Sequence, residues 1–320
     1  MADFKKINDE NYVTIVGTLK ELNISHEGEK SREVGFGENR QTVVCNQISK
    51  TQFNNPMMIV EVNGSPVAID LKFGVAEVGI KKNGEKFDNG QYKALNTVTN
   101  EYKTGDRVQV TASFSRNEYA TEEGEIKSYP TVYFERVTRS NVPAEDEISG
   151  SLIGVVTRID AEAVDGEPTG RLSVGLATVT YNGELEQFDF IVEKELANDF
   201  KKLYSQNSVA QLYYTIKSNK VVVEEVEEST GGFGQKAKKT VRSRSFTEYV
   251  IIGGEPANDP NKDGFNEDLF ITSEEVAEGK TKREIAQQKK IQKKLDKANG
   301  GNGSVKGSAP VDSTPANLPF

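Results

Sequence analysis

Five cations, Lys236, Lys238, Lys239, Arg242 and Arg244, fall within residues 229–245, and no acid stands among them. Gly231, Gly232 and Gly234 surround one aromatic ring there, Phe233. Glycines let a backbone adapt, lysine and arginine neutralise phosphates, and a ring offers a face on which a base can stack. A second stretch, residues 116–130, is shorter and less basic but places Tyr119 and Tyr129 near Arg116 and Lys127. Tyr213 alternates against Leu212 and Tyr214, and Tyr133 against Val132 and Phe134, so each triplet turns one aromatic to the other face of its strand. With Tyr249, which follows the basic stretch, these residues form a candidate surface for holding single-stranded nucleic acid without covalent chemistry.

Composition removes most alternatives. One cysteine, Cys45, and one histidine, His26, cannot assemble a zinc site of the common structural type. A single cysteine also excludes an internal disulfide framework and fits a reducing compartment. His26 lies in the segment SHEGEK, read as a polar turn with no nucleophile motif beside it. Gly279, Lys280 and Thr281 imitate the end of a phosphate-binding loop, but position 274, where that loop needs glycine, is Glu274. The segment GFGENR at 35–40 lacks the third glycine of a dinucleotide fingerprint and reads as a loop. Asp259, Asn261, Asp263 and Gly264 match the opening of a calcium loop, yet Phe270 stands where the closing bidentate carboxylate belongs. Residues 259–270 are therefore read as an acidic turn. The expectation is a protein with no catalytic residues, no cofactor and no metal.

The charge is unevenly placed. The net formal charge is -9, but residues 229–245 carry +5 and residues 279–298 carry +6, which leaves -20 on the remainder. Such segregation allows anions to bind at chosen places and discourages them elsewhere. No apolar run approaches the ~20 residues that span a bilayer, and the segment MADFKKINDE lacks the apolar core of a signal peptide. A cytoplasmic protein that does not enter membranes is expected.

The elements that must position these residues read as strands. Val108, Val110, Ala112 and Phe114 share one face, as do Phe188, Phe190 and Val192, and Leu212, Tyr214 and Ile216. Asn63 and Gly64 both tolerate positive φ and mark a tight hairpin. The basic stretch separates a strand at about 220–227 from another at 245–252, which makes it the tip of a long hairpin.

An internal repeat organises the rest. Residues 14–19, TIVGTL, match 147–152, EISGSL, aligning Ile15 with Ile148 and Gly17 with Gly150. Residues 102–110 then align with 203–211, and Leu95 with Leu196. The first copy is the longer, with insertions expected around 26–55 or 74–92. In the second, Leu196, Phe200 and Leu203 predict a helix over 193–207 between strands. Three strands, a helix and two strands fit the OB-fold, a small five-stranded barrel, with Gly17 and Gly150 suited to a bend in its first strand. A β-sandwich or another small barrel with a helix is the competing architecture.

The expected fold is mainly β: two tandem OB-like barrels over 1–142 and 143–258, then an acidic turn and basic helix over 259–299. Thr272 with Glu275, and Thr281 with Glu284, each read as a capping box, the second opening the basic helix. Residues 300–320 have linker composition and are expected to be disordered.

That tail closes on Leu318, Pro319 and Phe320, with Asp312 the acid nearby. It resembles the tip of bacterial single-stranded-DNA-binding proteins, which ends in an aliphatic residue followed by Pro-Phe. The resemblance implies that these three residues dock replication or repair proteins. Barrels, basic hairpin and tip together resemble a single-stranded-DNA-binding protein of the phage replication type. The alternative is a phage structural or interaction protein that uses its barrels as scaffold.

Overall fold

Alternating apolar residues build long strands in each half of the chain, and a computed structural model shows how they close. It describes residues 1–35, 39–81, 83–164, 166–227 and 238–298; of 219–227, 238–246 and 297–298 it describes the backbone alone. The protein is mainly β. A first helix, α1 (Phe4–Asp9), leads into β1 (Tyr12–Leu22), followed by β2 (Ile24–Val34), β3 (Gln41–Lys50), β4 (Met58–Val62) and β5 (Ser65–Ile69). Next come β6 (Val75–Ala76), β7 (Val78–Ile80), β8 (Lys86–Asp88), the helix α2 (Gly90–Glu101), β9 (Arg107–Ala120) and β10 (Ile126–Thr138).

Five of these strands make the first barrel. β1 pairs antiparallel with both β4 and β9, β4 with β5, and β9 with β10. The ring closes where Asp70 bridges Tyr133 in parallel, its amide donating to Val132 O (2.8 Å) and its carbonyl accepting from Phe134 N (2.9 Å). Asn63 (φ 50°) and Gly64 (φ 79°) turn β4 into β5, as their tolerance of positive φ predicts. Gly17 sits where β1 passes from β9 to β4; a Cβ there would lie 2.3 Å from Glu61 O. The β2–β3 hairpin with β6, and the β7–β8 pair, are insertions into this barrel. His26 belongs to β2 opposite Ile48 rather than to a turn, because the polar segment after it is held by the ladder to β3.

The second barrel uses β11 (Glu147–Val164), β12 (Glu167–Val179), β13 (Leu185–Val192), the helix α3 (Lys194–Leu203), β14 (Val209–Glu227) and β15 (Lys238–Gly254). β11 pairs with β12 and β14, β12 with β13, and β14 with β15, all antiparallel; β13 and β15 close the ring in parallel. Helix between third and fourth strands, and closure of third on fifth, is the OB arrangement in both barrels. At Gly150 the Tyr214 ring crosses the strand, 2.3 Å from where a Cβ would stand.

The repeat is visible in three dimensions, with one adjustment. β1 and β11 pair antiparallel, and Ile15 lies directly opposite Ile148, so an approximate two-fold axis passes between the residues that the repeat aligns. In the helices the alignment slips by one. Tyr102 and Tyr204 are the equivalent C-caps, and Leu95 corresponds to Ala197, not Leu196. Ala197 and Phe200 are the buried residues of α3, while Leu196 and Leu203 are exposed. Phe114 of the first barrel stacks on Phe188 of the second (4.5 Å between centroids), so the two share one apolar core.

After the barrels, Asp259 accepts from Asn261 N (2.9 Å) and Asn261 Nδ2 (3.2 Å) in a closed turn. The helix α4 (Ser273–Ala298) then runs unbroken. Thr272 and Glu275 form its reciprocal cap. Thr281 and Glu284 do not cap a second helix. Thr281 lies inside α4 and donates to Ala277 O (3.1 Å), because the earlier cap already starts the helix and Gly279 is accommodated by close packing on Gly183 and Leu185. No helix among the described residues is long and apolar enough to cross a membrane.

Candidate nucleic-acid interface

The ribbon formed by β9 and β10 has two unlike faces. Cross-strand register puts Tyr119 opposite Lys127 and Asn117 opposite Tyr129 on one of them. Tyr119 and Tyr129 are 50% and 45% exposed, their rings meeting edge to face at 6.3 Å and 74°. Asn117 Nδ2 donates to the Tyr129 hydroxyl (2.7 Å), and Lys127 pairs with Glu125 (2.9 Å). A tyrosine pair so held in water is preorganised to stack on a flat partner. The other face carries Arg116 and Glu118, both engaged with neighbouring elements.

Beside Tyr129 opens a groove of about 290 Å³. Tyr129, Pro130 and Thr131 line it from β10, Ile216, Ser218, Thr247 and Tyr249 from the root of the β14–β15 hairpin, and Pro66 and Ala68 from β5; Asn54 and Asp70 also border it. Tyr249 lines this groove but belongs largely to the core, 4.7 Å from Phe114, and burial pushes its phenol up to about 12. Tyr133 is buried, contrary to the expectation of an exposed platform, because its strand closes the barrel at Asp70. Burial first, then the Asp70 charge, raise its phenol to about 12. Tyr213 is only partly exposed and does not line the groove: its hydroxyl donates to Glu255 (2.7 Å), and that bond, ahead of burial, raises it to about 12. Arg116 turns to the far side of the ribbon, where Ser128 and Gln187 take its donors.

Phe53, absent from the expected set, is the most exposed of the described aromatic rings, at 88%. It adjoins Asn54, which lines the groove, and Lys50 Nζ lies 5.4 Å from its centroid while pairing with Asp70 (2.7 Å). Its signal in sequence is a lone aromatic in the polar run KTQFNN.

The long hairpin leaves the barrel at the groove itself. Ser218 and Thr247, both groove-lining, are register partners, and the ladder continues from them to Glu227 opposite Lys238. Nine further positions along β14 make an arm of roughly 30 Å. Lys238, Lys239, Arg242 and Arg244 therefore stand in the ladder of β15 and not in a loop: Val221, Val222 and Val223, good strand formers, pair with Arg244, Ser243 and Arg242, and Thr240 and Val241 continue the ladder opposite Glu225 and Glu224. Arg244, Arg242 and Lys238 occupy alternate positions of one face, opposite Val221, Val223 and Glu227; Lys239 occupies the other. Phe233, Lys236, Leu318, Pro319 and Phe320 lie outside the described residues.

The model of the YorF family matches residues 9–294, so the chain belongs to that family. No curated protein matches it. Among solved structures it is similar to the wild-type single-stranded DNA binding protein from Thermus aquaticus, at 11% identity and a TM-score of 0.40, over 79% of this chain and 96% of that one. A deletion mutant of the same protein is similar at 11% identity and a TM-score of 0.41, over 79% and 97%.

Proposed function

We propose that this member of the YorF family binds single-stranded DNA, without catalysis and with little regard to sequence, in DNA replication, recombination or repair of the phage type. The observation that carries the reading is the groove at the junction of the two barrels. An exposed tyrosine pair flanks one side of it, and the basic arm is rooted in the other. In OB barrels the second and third strands and the loop between the fourth and fifth form the ligand face; here β5 and both fourth-to-fifth ribbons meet in this groove.

Stacking on Tyr119 and Tyr129 requires unpaired bases, because a duplex hides the faces of its bases in its own stack. Every base has such a face, which makes the contact tolerant of sequence. The cations of the arm supply the complementary interaction with phosphates. Titration of fluorescent oligonucleotides, single-stranded against duplex, tests the reading. Preference for single strands is expected, with a log–log salt slope of roughly -3 to -4 if about 4–6 phosphates are contacted. Equal affinity for duplex, or no binding at low salt, would exclude it.

A further inference from the structure

Three guanidinium groups from distant parts of the chain converge on a second cleft, of about 350 Å³, on the outer face of the second barrel. Arg116 comes from the first barrel, Arg158 from β11 and Arg283 from α4; Asp189 is the one carboxylate that lines the cleft with them. We infer that this cleft is a phosphate-binding site that takes a backbone phosphate of the bound strand, an inference that rests on the function proposed above.

Each arginine is held in place before any ligand arrives. Arg116 donates through Nε to Ser128 Oγ (2.6 Å), through Nη2 to Ser128 O (3.0 Å) and through Nη1 to Gln187 O (2.6 Å), and lies 6.0 Å from the Phe188 centroid. A guanidinium has five N–H donors, so this anchoring leaves donors for a further acceptor. Arg283 is fastened to Glu118, which accepts from its Nε (3.1 Å) and its Nη2. Arg158 contacts Ser173 (3.2 Å) and Asp189 (2.8 Å) through Nη2, with Asp160 3.3 Å from its Nε. Fixed side chains lose little entropy on binding, which favours a planar, multidentate oxyanion contact.

The electrostatics agree. Burial, and then the charge of Arg283, depress the Arg116 guanidinium, while the charges of Glu118, Asp189 and Glu186 act the other way and only partly offset them. A phosphate relieves the repulsion between the two cations. Asp189 is the group it must displace from Arg158, and its side chain is 74% exposed, free to swing into water. Gly175 keeps the wall flat, since a Cβ there would meet Thr157 Oγ1 at 2.6 Å. One ribbon carries both sites: Arg116, which lines the cleft, and Pro130, which lines the groove, are cross-strand partners, so a strand leaving the groove reaches the cleft by passing around that ribbon.

The test compares Arg158→Gln and Asp189→Asn with wild-type full-length protein, in titrations of a fluorescent oligothymidylate across salt and in calorimetric titrations with inorganic pyrophosphate. Arg158→Gln is expected to weaken the oligonucleotide about five- to tenfold and to flatten the salt slope by about 0.7, the value of one phosphate contact on a single strand. Asp189→Asn is expected to tighten binding a few-fold, a gain that no loss of folding can imitate. Pyrophosphate binding that disappears in Arg158→Gln supports the site independently of DNA. If wild type binds the oligonucleotide while both variants keep its affinity and slope, the cleft is overturned and the DNA reading stands. Wild type that binds neither probe overturns both.

Discussion

Tyr129 and Tyr249 border the same groove and do different work there. Tyr129 is nearly half exposed and held by one hydrogen bond from Asn117, so little of the fold depends on its ring. Tyr249 packs against Phe114 and Phe190 and belongs to the core. Tyr129→Ala should therefore cost about 1–3 kcal/mol of single-strand binding, with an unchanged salt slope and hardly altered melting temperature. Tyr249→Ala should instead cost about 3 kcal/mol of stability, the range for removing a buried ring. Thermal unfolding and oligonucleotide titration of both variants separate the two roles, and a Tyr129→Ala protein that binds as wild type would remove stacking from the mechanism.

Two elements frame the proposed interface, and each has its own dependence on charge. Helix α4 docks on the first barrel through Glu118, which accepts from Arg283 and Gln287 and pairs with Lys290. Burial pushes the Glu118 carboxyl up, but the Arg283 hydrogen bond and the Arg283 and Lys290 charges outweigh it and hold the group below its ordinary 4.5. Because folding lowers this pKa, its contribution is fully present above 4.5 and is lost as pH falls through the lower folded value. Glu118→Gln should lose about 2 kcal/mol at neutral pH, show faster amide exchange in α4, and weaken the acid dependence of stability. Unchanged exchange in α4 would mean that Glu118 does not dock it. The basic arm behaves otherwise: Arg242→Ala with Arg244→Ala should flatten the salt slope by about 0.7 for each phosphate that is no longer neutralised and leave melting unchanged. An unaltered slope would return these cations to a solubilising role.

Legibility in sequence followed the same physics. The Asn63–Gly64 turn and the alternating strands could be read because conformation there depends on the residues themselves. The phase of α3 could not, since whether Leu196 or Ala197 is buried depends on how the helix sits on its barrel. The length of the arm is hidden in sequence because Thr240 and Val241 have strand propensity that the neighbouring cations obscure. Phe53 is hidden because exposure beside a groove is a property of the assembled barrels.

At the scale of the whole molecule, the two barrels form one continuous object. β1 and β11 join them edge to edge, and Phe114 fills a core together with Phe188, Phe190 and Tyr214. That union fixes the first ribbon against the root of the second, so the tyrosine pair and the foot of the arm are set by one core in an otherwise acidic protein. A strand lying along the groove should touch both. Ultraviolet cross-linking of full-length protein to oligothymidylate, with the adducts located by peptide mass spectrometry, measures that directly. Adducts on Tyr119 or Tyr129 and on the arm, suppressed by unlabelled single strand but not by duplex, are the predicted result. Adducts confined to other surfaces, or equally suppressed by duplex, would contradict it.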